Sequence, residues 1–286
     1  MRIAVGILAW AVCSIAAAQA PEQQSATSAP PALDEAVTQA STPEPAATTP
    51  LKSGTIYMCK FESNSPLYTL NSSNGAATKI GFTGINQSCT DLAFRKTAAS
   101  GVQLFGTSFT QLFSINPATG KGKLLPNTYG SSIKDINALV AQSGSGILFG
   151  AGSNAPGEFV EISPTTGKAT KKGELGTGIG SAGDLEFLNG QLYGLVNKSS
   201  TGTQTYLAKI SLSSKTMGNA TNLLLIRRKE GSNLVPLDNV WGLVNKGGVL
   251  YAAMETGEVL TISPSTGIAT LKGDNHQAQA GLAIVP

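Results

Sequence analysis

The chain has 286 residues; 13% are charged, 6% are aromatic, the formal net charge is +3, and there is one histidine. Charge this sparse and scattered excludes the basic stripe with interleaved aromatics of a nucleic-acid protein. One histidine and three cysteines leave no His/Cys cluster for a metal.

In chain order, Arg2 precedes an apolar run from Ile3 to about Ala17, and small residues follow through Ala20. A basic start, an apolar middle and a small-residue end read as a secretory signal peptide, 1–18, cleaved between Ala18 and Ala20. A transmembrane anchor is the competing reading, but the run is short of the ~20 residues a span needs. Lipidation at Cys13 is disfavoured by the bulky Val12. No later stretch is apolar and long enough to span a bilayer, so the mature chain is expected to carry no membrane span. Residues 19–52 are rich in Pro, Ala, Ser, Thr and Gln and hold no base before Lys52. They cannot bury a core and read as a disordered spacer or an O-glycosylated stalk.

Residues 53–286 carry 18 Lys/Arg and 13 Asp/Glu. The only basic clusters, Lys171-Lys172 and Arg227-Arg228-Lys229, fit solvated strand edges, where charge discourages edge pairing. One hairpin recurs through this region. Val259–Thr270 reads VLTISPSTGIAT, Phe159–Thr170 reads FVEISPTTGKAT, and Leu112–Gly120 reads LFSINPATG. Leu67–Thr78 is a looser copy and Leu207–Met217 the weakest. Apolar and polar residues alternate before the turn, which is strand periodicity. Pro presets the turn and Gly takes its left-handed position. Gly75, Gly120, Gly167, Lys215 (in the degenerate copy) and Gly267 follow one another at intervals of 45, 47, 48 and 52 residues. Periods of about 40–50 residues with several strands each indicate propeller blades.

Before each hairpin lies a second strand marked by Ile56-Tyr57, Leu104-Phe105, Leu148-Phe149, Leu192-Tyr193 or Leu250-Tyr251. Before the last four of these lies an innermost strand: Asp91–Phe94, Asn137–Val140, Asp184–Phe187 and Trp241–Val244. With the strand that closes each hairpin, this makes four per unit, the count of a blade. The first unit lacks an innermost strand, and Gly281–Val285 is unpaired at the other end. The expected fold is therefore all-β: a five-bladed β-propeller of four-stranded antiparallel blades over 53–286, closed by the C-terminal strand. Cys13 leaves with the signal, so Cys59 and Cys89 are expected to form one disulfide in an exported domain.

The motifs Asp184-Leu-Glu-Phe187, Gly190-Gln-Leu-Tyr-Gly194 and Ile262-Ser-Pro-Ser-Thr-Gly267 resemble those of secreted β-propeller repeat proteins of the quinoprotein-amine-dehydrogenase-like superfamily. The resemblance covers residues 54–285. It implies blades around a central channel and carries no catalytic residue across.

Catalytic patterns are few. There is no G-x-S-x-G elbow and no phosphate loop, and His276 sits alone in a loop. Asp91 and Asp184 occupy equivalent positions at the start of innermost strands, where the other blades have Ala138, Gly242 and Gly281. They could converge in the channel as a glycosidase pair, with Glu186 as a third acid. Alternatively, each is a repeat residue bonding the neighbouring blade's backbone. Trp241 precedes Gly242 and suits sugar stacking, or is wedged between blades. The loops entering the innermost strands add Tyr129, Asp135, Asn239 and His276. The expected ligand-binding set is Asp91, Asn137, Asp184 and Trp241 around one channel mouth, with Tyr129, Asp135, Asn239 and His276 on its rim. The expected function is a secreted, extracellular or periplasmic, non-catalytic module for a glycan or protein ligand. It is expected to be a monomer without cofactor, metal or nucleic-acid partner. The alternative is a glycosidase-like hydrolase using the channel carboxylates.

Overall fold

The structure, a computed structural model, describes residues 50–133 and 135–286. The signal peptide and all but the last three residues of the spacer lie outside the described residues. Blade 1 is built from β1 (Ile56–Cys59), β2 (Pro66–Leu70) and β3 (Ala77–Phe82). Blade 2 is β4 (Asp91–Thr97), β5 (Gly101–Thr107), β6 (Gln111–Ile115) and β7 (Gly122–Thr128). Blade 3 is β8 (Ile136–Ala141), β9 (Leu148–Gly152), β10 (Glu158–Ile162) and β11 (Ala169–Glu174). Blade 4 is β12 (Ile179–Leu188), β13 (Gln191–Lys198), β14 (Thr205–Ile210) and β15 (Ala220–Leu225). A hairpin of β16 (Arg227–Glu230) and β17 (Asn233–Pro236) follows. Blade 5 is β18 (Val240–Lys246), β19 (Val249–Met254), β20 (Glu258–Ile262) and β21 (Ile268–Asp274), and the last strand is β22 (Leu282–Ile284).

β22 pairs antiparallel with β1, in register Ile56↔Ile284 and Met58↔Leu282, and so becomes the innermost strand of blade 1. This closes a five-bladed, all-β propeller without an open sheet edge at the seam. Among the described residues no helix is long and apolar enough to cross a membrane.

The core is divided among the five blade interfaces, because each blade is a sheet whose two faces pack on its neighbours. Leu67, Leu92, Leu104 and Phe113 fill the space between blades 1 and 2. Phe105, Leu112, Leu139 and Val160 fill that between blades 2 and 3, and Phe149, Phe159, Leu192 and Ile210 that between 3 and 4. Leu195, Leu207, Leu243 and Leu260 join blades 4 and 5; Ile56, Met58, Val244 and Val259 join blades 5 and 1. Leu51, on the spacer side of residue 53, packs partly against the first of these clusters.

The repeated turn glycine serves two needs at once. At Gly267 φ is +72°, and a Cβ would stand 2.7 Å from the carbonyl oxygen of Leu225 in the next blade. In the degenerate fourth copy this role falls to Gly218 (φ +88°), not to Lys215. The N–H of Gly218 donates to the carbonyl of Ser211, as that of Gly167 does to Ser163, across a turn three residues longer.

The two basic clusters behave differently. Lys171 and Lys172 lie on β11, the outer edge of blade 3, each paired with a glutamate. Arg227-Arg228-Lys229 forms β16, which runs parallel to β21 and turns blade 5 into a six-stranded sheet. Arg228 is held there by Glu258 and Glu230. Charge does not blunt this edge; the ion pairs allow the hairpin to cover it.

Cys59 and Cys89 form a disulfide with Cα atoms 6.3 Å apart and 30 residues between them in sequence. It joins the end of β1 to the loop entering β4. In the chain-entropy account, closing a loop of this length contributes about 3–4 kcal/mol.

Candidate functional site

The channel has two mouths. Loops entering the innermost strands, and those joining second to third strands, surround the upper one; turns from innermost to second strands, such as that at Ser143, border the lower, with the Thr-Gly turns on the same face farther out. Between them lies a closed layer at the level of Asp91, Ala138, Asp184, Gly242 and Gly281. Two of these five positions carry carboxylates and three carry next to nothing, which leaves room for both acids near the axis. The fit is close: a Cβ on Gly281 would fall 2.2 Å from Asp91 Oδ1.

Asp91 and Asp184 are 0% and 1% exposed. Asp91 accepts from the backbone N–H of Leu92 at 2.7 Å and of Leu139, in blade 3, at 2.6 Å. Asp184 accepts from Leu185 N–H at 2.7 Å, from Leu243 in blade 5 at 2.8 Å, and from Leu282 of β22 at 3.3 Å. The two carboxyls also hydrogen-bond each other. Burial pushes both well above the usual carboxylate range, and for Asp184 the neighbouring Asp91 charge pushes in the same direction. Together the pair pins the innermost strands of all five blades. Glycoside hydrolysis needs two carboxyls flanking a space that admits sugar and water. Here the oxygens face backbone amides and each other.

Above this layer is a cleft of about 240 Å³. Phe61, Phe109 and Trp241 form one wall: Phe61 meets Phe109 edge-on at 5.6 Å and Trp241 edge-on at 6.2 Å. Phe61 is 45% exposed and Trp241 is half-buried. The other wall is polar but uncharged, with Asn137, Asn197, Ser153 and Ser181. Asn137 Nδ2 donates to the carbonyl of Ser181 at 3.1 Å, while its Oδ1 is buried without a protein partner. A buried acceptor left unpaired is costly, and a ligand hydroxyl or N–H would satisfy it. The disulfide fixes this mouth from two sides, since Phe61 lies two residues after Cys59 and Thr90 follows Cys89.

The expected site residues thus separate. Asn137 and Trp241 share the cleft; Asp91 and Asp184 belong to the layer beneath it. Tyr129 is buried between blades 2 and 3 with its hydroxyl 2.6 Å from Thr107 Oγ1. Asp135, Asn239 and His276 sit on loops of the upper face, all at positive φ, but do not line the cleft. The Asp135 carboxylate accepts from Asn154 Nδ2, Asn239 donates to Glu255 at 2.8 Å, and the His276 ring is 85% exposed beside Asp274. Phe61 and Phe109 were missed by sequence reasoning. Both lie between second and third strands, a loop class known to reach this face, and that was the available signal. Among the described residues no group of three or more His, Cys, Asp or Glu is placed to hold a metal.

No family model matches the chain, and no curated protein matches it. Solved structures with a similar outline include a protein of unknown function from Bacteroides thetaiotaomicron VPI-5482, 14% identical, with TM-score 0.48, covering 70% of this chain and 54% of that one. Myxococcus xanthus glutaminyl cyclase is 17% identical with TM-score 0.41, covering 69% of this chain and 70% of that one. A bifunctional GH43-CE protein of Bacteroides eggerthii is 15% identical with TM-score 0.48, covering 80% of this chain and 34% of that one. This chain spans about half the length of the first of these and a third of the last. At such identities and scores the similarity assigns no activity.

Proposed function

We propose that the chain is an exported, non-catalytic binding module that takes a ligand into the upper mouth, and that the ligand is a glycan. The observation that carries this reading is the cleft itself: three aromatic rings face uncharged amides and hydroxyls over a closed floor. Aromatic rings supply stacking area for the C–H face of a sugar. Amides and hydroxyls, Asn137 Oδ1 first among them, take its hydroxyl groups. A cleft of about 240 Å³ is below the ~300–1,000 Å³ of drug-sized sites and suits one ring entering end-on. The placement of Asp91 and Asp184 supports binding over hydrolysis.

Export is supported by the Arg2-led apolar run and by the disulfide, which persists in oxidising compartments. The blade motifs favour a place beside the secreted propeller repeat proteins of the quinoprotein-amine-dehydrogenase-like superfamily, and we read the chain as a monomer. A glycan array probed with the disulfide-bonded chain tests the proposal. Retention of a set of related glycans, lost in Trp241→Ala, is expected. No retained glycan, or a set unchanged in the variant, would overturn it.

A further inference from the structure

The lower mouth has a different chemistry and forms a cavity of its own, about 200 Å³. Its collar is apolar, with Phe94, Val140, Phe187 and Ile284 from four innermost strands and Pro286 just beyond the last of them. One side-chain carboxylate, Glu186, stands in that collar, and the Asp184 side of the closed layer forms the floor. We propose that this cavity is a second binding site, for an alkylammonium group on a short apolar stem.

Glu186 accepts from the backbone N–H of Phe187 at 2.7 Å and from that of Asn245. Among the described residues no Lys, Arg or His forms an ion pair with it. The groups around it are fixed elsewhere. From β4, Asp91 is in the closed layer, and Arg95 is bonded to Gly146 O, Ser100 and Gln103; Lys96 is exposed. From β13, Tyr193 lies opposite in register and Lys198 covers the Tyr206 ring. From β18, Lys246 bonds Ser72; β8 and β22 bring no charged side chain, and Pro286 beyond β22 adds only a terminal carboxylate, which is no counter-charge. Glu186 is therefore a half-buried carboxylate without a counter-charge. Such a group is neutralised either by a proton or by a cation.

The lining decides which cation. A bare metal ion needs several oxygen ligands, and this collar is hydrocarbon. An alkylammonium places its stem against the apolar collar and its head on Glu186, with Phe94 and Phe187 in the wall to add ring-face attraction. Burial pushes the Glu186 carboxyl up to about 7. Proton and ammonium therefore compete near neutral pH, and affinity rises as pH rises and the carboxylate ionises. The ammonium can arrive as a free small amine or as a lysine side chain of another protein.

The test is a methyl-NMR titration of the full chain, following Ala283 and Ile284, at constant ionic strength. The probes are n-butylammonium, n-butanol and a short peptide with one central lysine. Saturable shifts with n-butylammonium, about tenfold tighter at pH 8 than at pH 6 as follows from a midpoint near 7, are expected, with no saturation by n-butanol. The peptide binding as tightly as n-butylammonium identifies a protein lysine as the source; binding of n-butylammonium alone identifies a free amine. Glu186→Gln is expected to abolish both binding and its pH dependence. Ser143→Arg, at the exposed rim, supplies a tethered cation and is expected to block the probe without touching the core. Equal response to n-butanol, an unchanged Glu186→Gln variant, or no saturation at pH 8 overturns the proposal. Each of these outcomes is independent of whether the upper mouth binds a glycan.

Discussion

The two mouths of the channel are opposite ends of the same innermost strands, yet they present different surfaces. The upper mouth is aromatic on one side and polar on the other, and its side chains come largely from loops and strand starts. The lower mouth is hydrocarbon around one acidic side chain, and its side chains come largely from the innermost strands themselves. The difference follows from what each residue must do. Strand residues such as Phe94 and Ile284 are tied to the blade interfaces, so they stay apolar. Loop residues such as Phe61 and Phe109 carry less packing duty and can be chosen for a ligand. The layer of Asp91 and Asp184 keeps the two chemistries apart.

The largest expected effect comes from removing the strand that both mouths share. Deleting residues 281–286 takes away β22 and leaves the backbone of β1 unpaired. We expect this variant to aggregate or to lose cooperative melting, whereas deletion of residues 1–49, which spares Leu51, leaves the melting temperature within a few degrees. Equal melting of the two truncations would show that β22 does not carry the closure.

Next in size is the dividing layer. Asp184→Ala leaves the N–H groups of Leu185, Leu243 and Leu282 without their acceptor. At about 1–3 kcal/mol for each buried unpaired group, and with some relief by water, the loss in urea unfolding should be roughly 3–5 kcal/mol. Asp184→Asn keeps an acceptor and should lose less than half as much. If the two variants unfold alike, the carboxylate does not hold the ring.

A third effect sharpens the contrast between an acid-bearing lower mouth and an uncharged upper one. The folded-state carboxyl of Glu186 titrates near 7, above its ordinary 4.5. A raised acid pKa means the folded state holds its proton longer than the unfolded chain. This contribution is fully present below about pH 4.5, declines between 4.5 and 7, and is gone above that. The size is about 3 kcal/mol by linkage; the Asp91–Asp184 pair acts with the same sign. Urea midpoints should fall from pH 5 to pH 7.5 and fall less in Glu186→Gln. Midpoints that rise with pH over this range would contradict the burial of these groups.

Much of this architecture is legible in the sequence because one hairpin is written five times, with a turn glycine in four of the copies. The paired acids are legible too, since Asp91 and Asp184 stand at one repeat position. Convergence in the channel and a bond to the neighbouring blade's backbone both stay open at that level, because strand alternation gives a face of the blade and says nothing of how five strands meet on an axis. The β16–β17 hairpin was hidden because Arg-Arg-Lys-Glu has no apolar alternation and its parallel pairing is not part of the repeat. Tyr129 reads as a loop aromatic, but the chain there folds back so that it fills the space between blades 2 and 3. Phe61 and Phe109 are single residues outside the repeat, and only the closed ring brings them to Trp241.

The smallest effect in free energy tests the central claim. Trp241→Ala should cost little stability, because the ring is half-buried, but should weaken ligand binding by about 1–3 kcal/mol, the range for stacking on an aromatic platform. The most direct measurement is the emission of Trp241 itself. In a chain carrying Trp10→Phe it is the only tryptophan. Titration with a glycan retained on the array should shift and change that emission saturably, with a midpoint equal to the independently measured Kd, and Phe61→Ala should weaken both together. A glycan that binds without altering Trp241 emission, or that binds Trp241→Ala with unchanged affinity, would place the ligand elsewhere and contradict the account.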